Sequence, residues 1–494
     1  MKKGDSIAMQ KQRSLTANFI MNTILSISSF VFPLLTFPYI SRILQPAGIG
    51  KISFATSVVS YFAMFAQMGI PTYGIRACAK VRDDREELSR TVHELFFINL
   101  GMSLVSYVAL FFVVFYIPRL RQEKELFLII SLTIILNTVG MEWVYKASER
   151  YTYITVRSIV FKFIAFVAMF LLVHGQDDYI CYGAITIFAA SASNIFNLIH
   201  LHKMVILRPL RPYCMGRHFK AIITFFAMSC ATVIYTNLDT VMLGFMKSDT
   251  DVGYYNAAVK VKTILVSVVT SLGAVLLPRV SYYIEHGLFE AFQTIASKAT
   301  DFVLVIAVPL CVYFMLFSEE SIYFLSGEAY ADAVIPMCII MPTLILIGLT
   351  NIMGIQMLVP MGKEKLVLYS EMAGAVVDII LNAFLIPEFA AAGAALGTLV
   401  AEMVVWGVQF YFLRARVRQI YSQMRYRVFI GALLTGVVVS LWVKWMGWRL
   451  LMTLAISACL FFGGYLLFLY KTKEPVILEI KDKLIKVLIK KRKE

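Results

Sequence analysis

Charged side chains set inside or beside apolar runs are the residues of this chain best placed to do chemistry. A charge near the centre of a bilayer costs on the order of 2.5–3.5 kcal/mol on insertion scales, so each one needs a reason to be there. Lys260 and Lys262 fall in the apolar run 253–277, and Asp239 falls in the run 219–246. Arg42 and Lys51 flank the turn between the first two runs. All five are expected at similar depth. Cations on a low-dielectric wall hold a concentrated anion strongly. Lys260 and Lys262 are two residues apart, about 200° around a helix, so only one of them can face a given surface. Arg42 and Lys51 either serve such a wall or reach to headgroups from helix ends. Asp239 is either a partner for one of the lysines or part of the site itself. Arg76 and Arg279 make a second layer at the opposite helix ends, where orientation bias alone would also place them.

Asp378 and Glu402 lie near mid-depth in two later runs, with Asn382 one turn from Asp378. Intramembrane carboxylates either bind a proton or cation that drives transport or satisfy each other locally. Trp143 and Tyr145 are candidates to stack on sugar rings, against the commoner reading of an interfacial aromatic belt. No metal site is expected. The close histidines His200 and His202 do not share a helix face, and the seven cysteines are scattered without a CxxC pair. No cofactor is expected either.

The elements that must position these residues are membrane helices. Of 494 residues, 59% are hydrophobic, above the roughly 45–50% of soluble domains. Fourteen runs are near or above the roughly 17 residues needed to cross a bilayer. They cover 15–40, 52–72, 92–116, 126–144, 158–174, 179–201, 219–246, 253–277, 299–318, 332–358, 367–386, 392–413, 427–445 and 449–470. The net charge of +15 reflects loop bias rather than nucleic-acid binding. One set of alternate connections holds 35 Lys and Arg and the other set holds 8. This asymmetry predicts that both termini are cytoplasmic. The start MKKGDSIAMQKQRS lacks a cleavage pattern after it and predicts an uncleaved first helix. The segment 476–493, with Ile480, Leu484 and Leu488 among lysines, reads either as an amphipathic helix on anionic lipid or as a solvated basic tail. Pro33 and Pro38 predict a bend in the first helix, and Gly69 with Pro71 a bend in the second.

The stretch YISRILQPAGIGKISFA at 39–55 recurs in weakened form at 238–258. Ile49-Gly50 answers Val252-Gly253, Ser53 answers Asn256, and Ala55 answers Ala258. Each copy lies between the first two helices of one half of the chain. Two similar halves facing each other is how many transporters build a central site.

Several blocks resemble a known family. They are FPLLTFPYISRIL (32–44), YFAMFAQMGIPTYGIRACAKVRDD (61–84), EWVYKASERYTYITVRS (142–158), NLDTVMLG (237–244), VGYYNAAVKV (252–261), LLPRVSYY (276–283), VPMGKEK (359–365) and AAGAALGTLVAE (391–402). In that order they resemble the O-antigen and capsule type of polysaccharide repeat-unit flippase, within the multidrug/oligosaccharidyl-lipid/polysaccharide exporter superfamily. Gln45-Pro46 and Ala77 depart from the usual residues of that family. The resemblance implies an all-α polytopic membrane protein with two six-helix lobes around a central cavity. The implied parts are a cytoplasmic N-terminus (1–14), an N-lobe (15–201), a linker (202–218) and a C-lobe (219–413). Two extra C-terminal helices (427–470) and a basic cytoplasmic tail (471–494) complete the chain. Helices 1, 2, 7 and 8 would line the cavity. There Arg42, Lys51, Lys260 and Lys262 would meet an undecaprenyl diphosphate, with Arg76 and Arg279 receiving it at the inner leaflet. The implied location is the bacterial inner membrane. The implied partners are the lipid-linked oligosaccharide, membrane lipids, a polysaccharide polymerase and a chain-length regulator, with no nucleic acid. Two other functions remain open. A drug/cation antiporter of the same fold calls for a more apolar or acidic cavity with fewer cations. A membrane polymerase or glycosyltransferase would need a larger outer loop than any in this sequence.

Overall fold

No water reaches the core of a bilayer, so each backbone N–H and C=O there must pair within the chain, and a helix does this by itself. The computed structural model builds the apolar runs as helices, and no strand occurs among the described residues. It describes residues 2–422, 425–475, 478 and 481, with side chains for all of these except 2–16, 19, 30 and 272–279. The expected amphipathic tail and the side chain of Arg279 lie outside the described residues.

Contacts divide the chain into two units, Met1–Gly253 and Tyr254–Glu494. The first holds α1 (Lys2–Gln67), α2 (Ile70–Lys80), α3 (Arg85–Tyr116), α4 (Pro118–Arg121) and α5 (Lys124–Gly140). It continues with α6 (Glu142–Ala147), α7 (Tyr151–Leu172), α8 (Tyr179–Ile187), α9 (Asn194–His200) and α10 (Gly216–Met246). The boundary falls near the start of α11 (Asp249–Glu285). The second unit continues with α12 (Phe289–Leu316), α13 (Ser318–Ser326), α14 (Val334–Ile340) and α15 (Thr343–Thr350). It ends with α16 (Glu364–Ser422), α17 (Tyr426–Leu441) and α18 (Leu450–Lys471). The repeat assigns α10 to the second half of the chain, yet α10 packs on α1 and α2 within the first unit.

Among the described residues, nine helical runs are long and apolar enough to cross a membrane. A tenth is the pair Glu328–Ile340 and Thr343–Leu358 bent by 43°. The runs Ile20–Lys80 and Glu364–Ser422 hold 61 and 59 residues. At 1.5 Å per residue each is roughly 90 Å long, about three times the hydrocarbon thickness. Each contains a break. In α1 it is Gln45 (φ 58°, ψ 175°) and in α16 it is Ala390 (φ 46°, ψ −123°). Both residues hold a positive φ that is costly without glycine, so packing on each side must enforce it. The helical run of α1 continues through Pro33 and Pro38, and its non-helical residue is Gln45. The second helix is interrupted where expected. Gly69 adopts φ 70° and caps α2, with Pro71 in its first turn.

In the first unit, Trp143 and Tyr145 are 4% and 0% exposed. A Cβ on Gly74 would run into the Trp143 ring, so α2 and α6 meet ring against backbone. The Tyr145 hydroxyl donates to the Asn197 carbonyl at 2.6 Å, and its ring stacks on Tyr153 at 5.3 Å. These rings pack α6 into the core of this unit.

In the second unit, α12, α15 and α16 enclose a core containing Phe292, Val303, Met353, Val417 and Ile420. Helices α17 and α18 dock on α12. The Tyr313 hydroxyl lies 3.0 Å from Ser457 Oγ, and the Tyr465 hydroxyl donates to the Val305 carbonyl at 3.1 Å. Between α17 and α18, a Cβ on Gly436 would lie 2.9 Å from the Phe461 carbonyl oxygen. Such close approach uses the small residue as membrane helices commonly do. Gly436→Val should therefore destabilise the α17–α18 pair by about 1–3 kcal/mol, read as a lower melting temperature in detergent. An unchanged melting temperature would show that this approach contributes nothing to stability.

Candidate functional site

The two copies of the sequence repeat meet each other. A Cβ on Gly50 would fall on the Asp249 carbonyl, and a Cβ on Gly253 would fall on the Pro46 carbonyl. The shift in numbering that pairs Gly50 with Gly253 also pairs Pro46 with Asp249. The two contacts are thus reciprocal, as across a local two-fold axis. Glycine is required on both sides because backbone lies against backbone.

Aromatic and ionic groups surround this joint. Phe54 packs on Phe127 and Phe245 at 6.1 and 5.1 Å, and leaves no room for a Cβ on Gly244. Arg119 lies 5.3 Å above the Phe54 ring, donates Nε to the Gly244 carbonyl at 3.1 Å and pairs with Asp249 at 2.5 Å. Lys51 pairs with Glu123 at 2.6 Å and sits 4.4 Å over the Tyr179 ring. The Tyr179 hydroxyl donates to the other Glu123 oxygen at 2.8 Å. Lys51 is therefore neutralised in this conformation. Arg42 is exposed and donates to the Pro38 carbonyl one turn back.

The far end of α10 is tied down by a different device. Glu94, fully buried on α3, accepts from the Cys214 N–H at 2.6 Å and from Arg217 Nε at 2.9 Å. It also lies 2.7 Å from His218 Nε2, while His218 Nδ1 lies 2.8 Å from the Tyr73 hydroxyl on α2. Arg217 also pairs with Glu87 at 2.7 Å. A buried carboxylate is tolerable only when so many donors converge on it. Sequence reasoning missed Glu94, Arg119, Glu123, Asp249 and His218. Their partners are more than seventy residues away, and no local spacing marks them.

The remaining candidates sit as follows. Asp239 is buried in α10. Arg76 is exposed on α2 with no hydrogen bond or ion pair among the described residues. Lys260 and Lys262 are both half-buried on α11, beside the buried Ala258 and Val261. Neither has a hydrogen bond or ion pair among the described residues. Lys162 on α7 contrasts with them. It donates to the Ser28 and Ser29 hydroxyls, each at 2.9 Å. Asp378, Asn382 and Glu402 are buried in α16, on opposite sides of the break at Ala390. Asn382 donates to Asp378 at 3.2 Å, and a Cβ on Gly397 would collide with that pair. Nearby in the same unit, the Tyr255 hydroxyl meets Thr398 Oγ1 at 3.0 Å. The two arms of α16 are thus joined by a polar seam. Among the described residues no group of His, Cys, Asp and Glu could hold a metal ion.

A polytopic helical protein with a break at each repeat turn and half-buried lysines beyond it belongs to the transporter class. Residues 15–284 match the family described as polysaccharide biosynthesis protein, and residues 225–384 match the MatE family. A protein of Escherichia coli (strain K12) named "Putative O-antigen transporter" is 24% identical, over 81% of this chain and 97% of its own length. The structure resembles a lipid II flippase, MurJ, in an inward closed conformation. The TM-score is 0.70 at 14% identity, covering 91% of this chain and 98% of that one. It also resembles an inward-facing multidrug resistance transporter of the MATE family in the MOP superfamily. Here the TM-score is 0.63 at 13% identity, covering 82% and 99%. This chain belongs to the polysaccharide biosynthesis protein family, and its fold is that of the MOP superfamily. The Escherichia coli relative and the two solved structures carry the names of transporters or flippases.

The joint at Gly50 and Gly253 has a measurable signature. Gly50→Val and Gly253→Val should each destabilise the protein by about 1–3 kcal/mol. The double variant should lose less than the sum, because either side chain alone separates the same two turns. Fully additive losses in thermal unfolding would show that the two contacts are independent.

Proposed function

We propose that this protein is a flippase that moves undecaprenyl-diphosphate-linked oligosaccharide repeat units across the bacterial inner membrane by alternating access, for surface polysaccharide biosynthesis. The observation that carries this reading is the pair Lys260 and Lys262. They are half-buried cations in a membrane helix, without a carboxylate partner among the described residues. Holding such charge in an apolar protein costs free energy that a bound diphosphate recovers. Family membership supports the substrate class, since O-antigen is the named cargo of the Escherichia coli relative. Arg76 is exposed and unpaired among the described residues, as a receiving site for the diphosphate would be. Arg279 takes the same role by its place in the sequence. Arg42 and Lys51 join the substrate set when the turn that holds them opens. Asp239 serves as a charge partner or coupling group, and Asp378 with Glu402 is the proton or cation site that couples transport.

The topology proposed has both termini in the cytoplasm and fourteen crossings. Counting α1 with α2 and α16 as two crossings each, and the bent pair as one, supports twelve. The 17-residue α5 and the 37-residue α11 supply the other two. A polymerase and a chain-length regulator would receive the flipped product.

Function should follow the charge of Lys260. In cells lacking their own flippase for the same repeat unit, Lys260→Arg should restore surface polysaccharide. Lys260→Ala should lose on the order of tenfold or more, at equal protein level, the usual cost of leaving a buried charge unmatched. If Lys260→Ala restores the polymer as well as wild type does, and Lys262→Ala does too, these lysines do not bind the diphosphate.

A further inference from the structure

The second unit contains a cavity of about 540 Å³ between the start of α12 and the end of α16. Arg416 is its central cation and is half-buried. Its guanidinium carbon lies 5.9 Å from the ring centroids of both Phe289 and Phe292, and one N–H points to the Met361 sulfur at 3.3 Å. The Arg416 carbonyl accepts from Gln293 Nε2 at 3.0 Å, which fixes the backbone beneath it. Aromatic faces and a thioether position the guanidinium without neutralising it. Among the described residues no carboxylate comes within ion-pair distance of it. Lys298, Thr294, Ser297 and Gln419 complete the polar lining, and Glu290 adds one carboxylate.

We propose that this cavity binds the phosphodiester headgroup of a membrane lipid, at a site separate from Lys260 and Lys262. Arg416 presents a planar fork of donors that fits two phosphate oxygens, and Lys298 adds a second cation. The hydroxyls of Thr294 and Ser297 and the Gln419 amide supply further donors. Glu290 accepts from the hydroxyls or ammonium of the headgroup alcohol, a role a bare anion would leave empty. The depth also fits a lipid. The membrane-length run of α12 begins at Phe289, and α16 ends at Ser422. Phe292 and Ile420 of the apolar core line the cavity, and the exposed Phe289 offers an apolar surface to an acyl chain. Arg418 on the same arm of α16 adds positive charge that draws anionic lipid.

The test is a titration of the full-length protein in detergent with dihexanoylphosphatidylglycerol, read by thermal shift, with inorganic phosphate as the second arm. The lipid should raise the melting temperature at concentrations where inorganic phosphate does not. Arg416→Gln should weaken lipid binding by at least about tenfold, the scale of losing a charge-assisted fork. Arg414→Gln, with the same change in net charge outside the cavity, should bind as wild type does. Equal binding by wild type and Arg416→Gln overturns the proposal, as does an equal loss in Arg414→Gln. An equal response to inorganic phosphate replaces the lipid by a free anion and overturns it too. Should Arg416→Gln fail to fold, the exposed Lys298→Gln carries the test. It should bind several-fold more weakly, and binding equal to wild type overturns the site.

Discussion

The first unit depends on a contact between two stretches of backbone. Gly50 against the Asp249 carbonyl and Gly253 against the Pro46 carbonyl leave no space for any side chain. Everything nearby is placed by that approach. It brings Asp249 to Arg119 and brings Phe54 against Gly244 and Phe245. It also accounts for the strained Gln45, since Pro46 must present its carbonyl to a helix from the other copy of the repeat. The dihedral strain of one residue, on the order of 1–3 kcal/mol, is offset by packing and charge pairing around it.

The charged groups of the membrane region fall into two kinds, and the difference has functional meaning. Glu94, Lys51, Arg119 and Lys162 each have close partners within the first unit. They satisfy the rule that buried charge is paired, and their work is to hold helices together. Lys260, Lys262 and Arg416 do not satisfy it among the described residues. For Arg416 the neighbours are rings and sulfur, which orient a cation while leaving its charge available. A structure that pairs most of its buried charges and leaves a few unmatched is spending stability at those few positions.

Much of the fold was legible because a bilayer imposes length and polarity on every crossing. The runs of apolar residues marked the helices, and the repeat at 39–55 and 238–258 marked the two turns that meet. Gly69 and Pro71 correctly marked the break before α2. The break in α1 falls inside the turn expected between the first two apolar runs, 15–40 and 52–72, while the chain stays helical through Pro33 and Pro38. The turn came at Gln45, whose letter gives no sign of a positive φ. Trp143 and Tyr145 read as surface aromatics because their neighbourhood is polar in sequence. In space Gly74 and Asn197 close over them. The ionic partners of Lys51, Arg119 and Glu94 were invisible for one shared reason. Each pair joins different helices, and sequence periodicity reports only which face of a helix is apolar.

The placement of α10 ties these observations together. One end is held at the Glu94 cluster through Arg217 and His218, and the other at Gly244 by Phe54 and Arg119. The 26 residues between His218 and Gly244 span roughly 40 Å at 1.5 Å per residue, enough to cross the hydrocarbon core. Helix α10 is thus fixed to α2 and α3 at one end and to α1 and α4 at the other, although the repeat assigns it to the second half of the chain. Helix α11 follows directly from the pinned turn, and Lys260 lies seven residues, roughly 10 Å, beyond Gly253 along it. Asp249 takes part in both the close approach to Gly50 and the ion pair with Arg119. One aspartate at the start of α11 thus serves both the backbone joint and the ion pair.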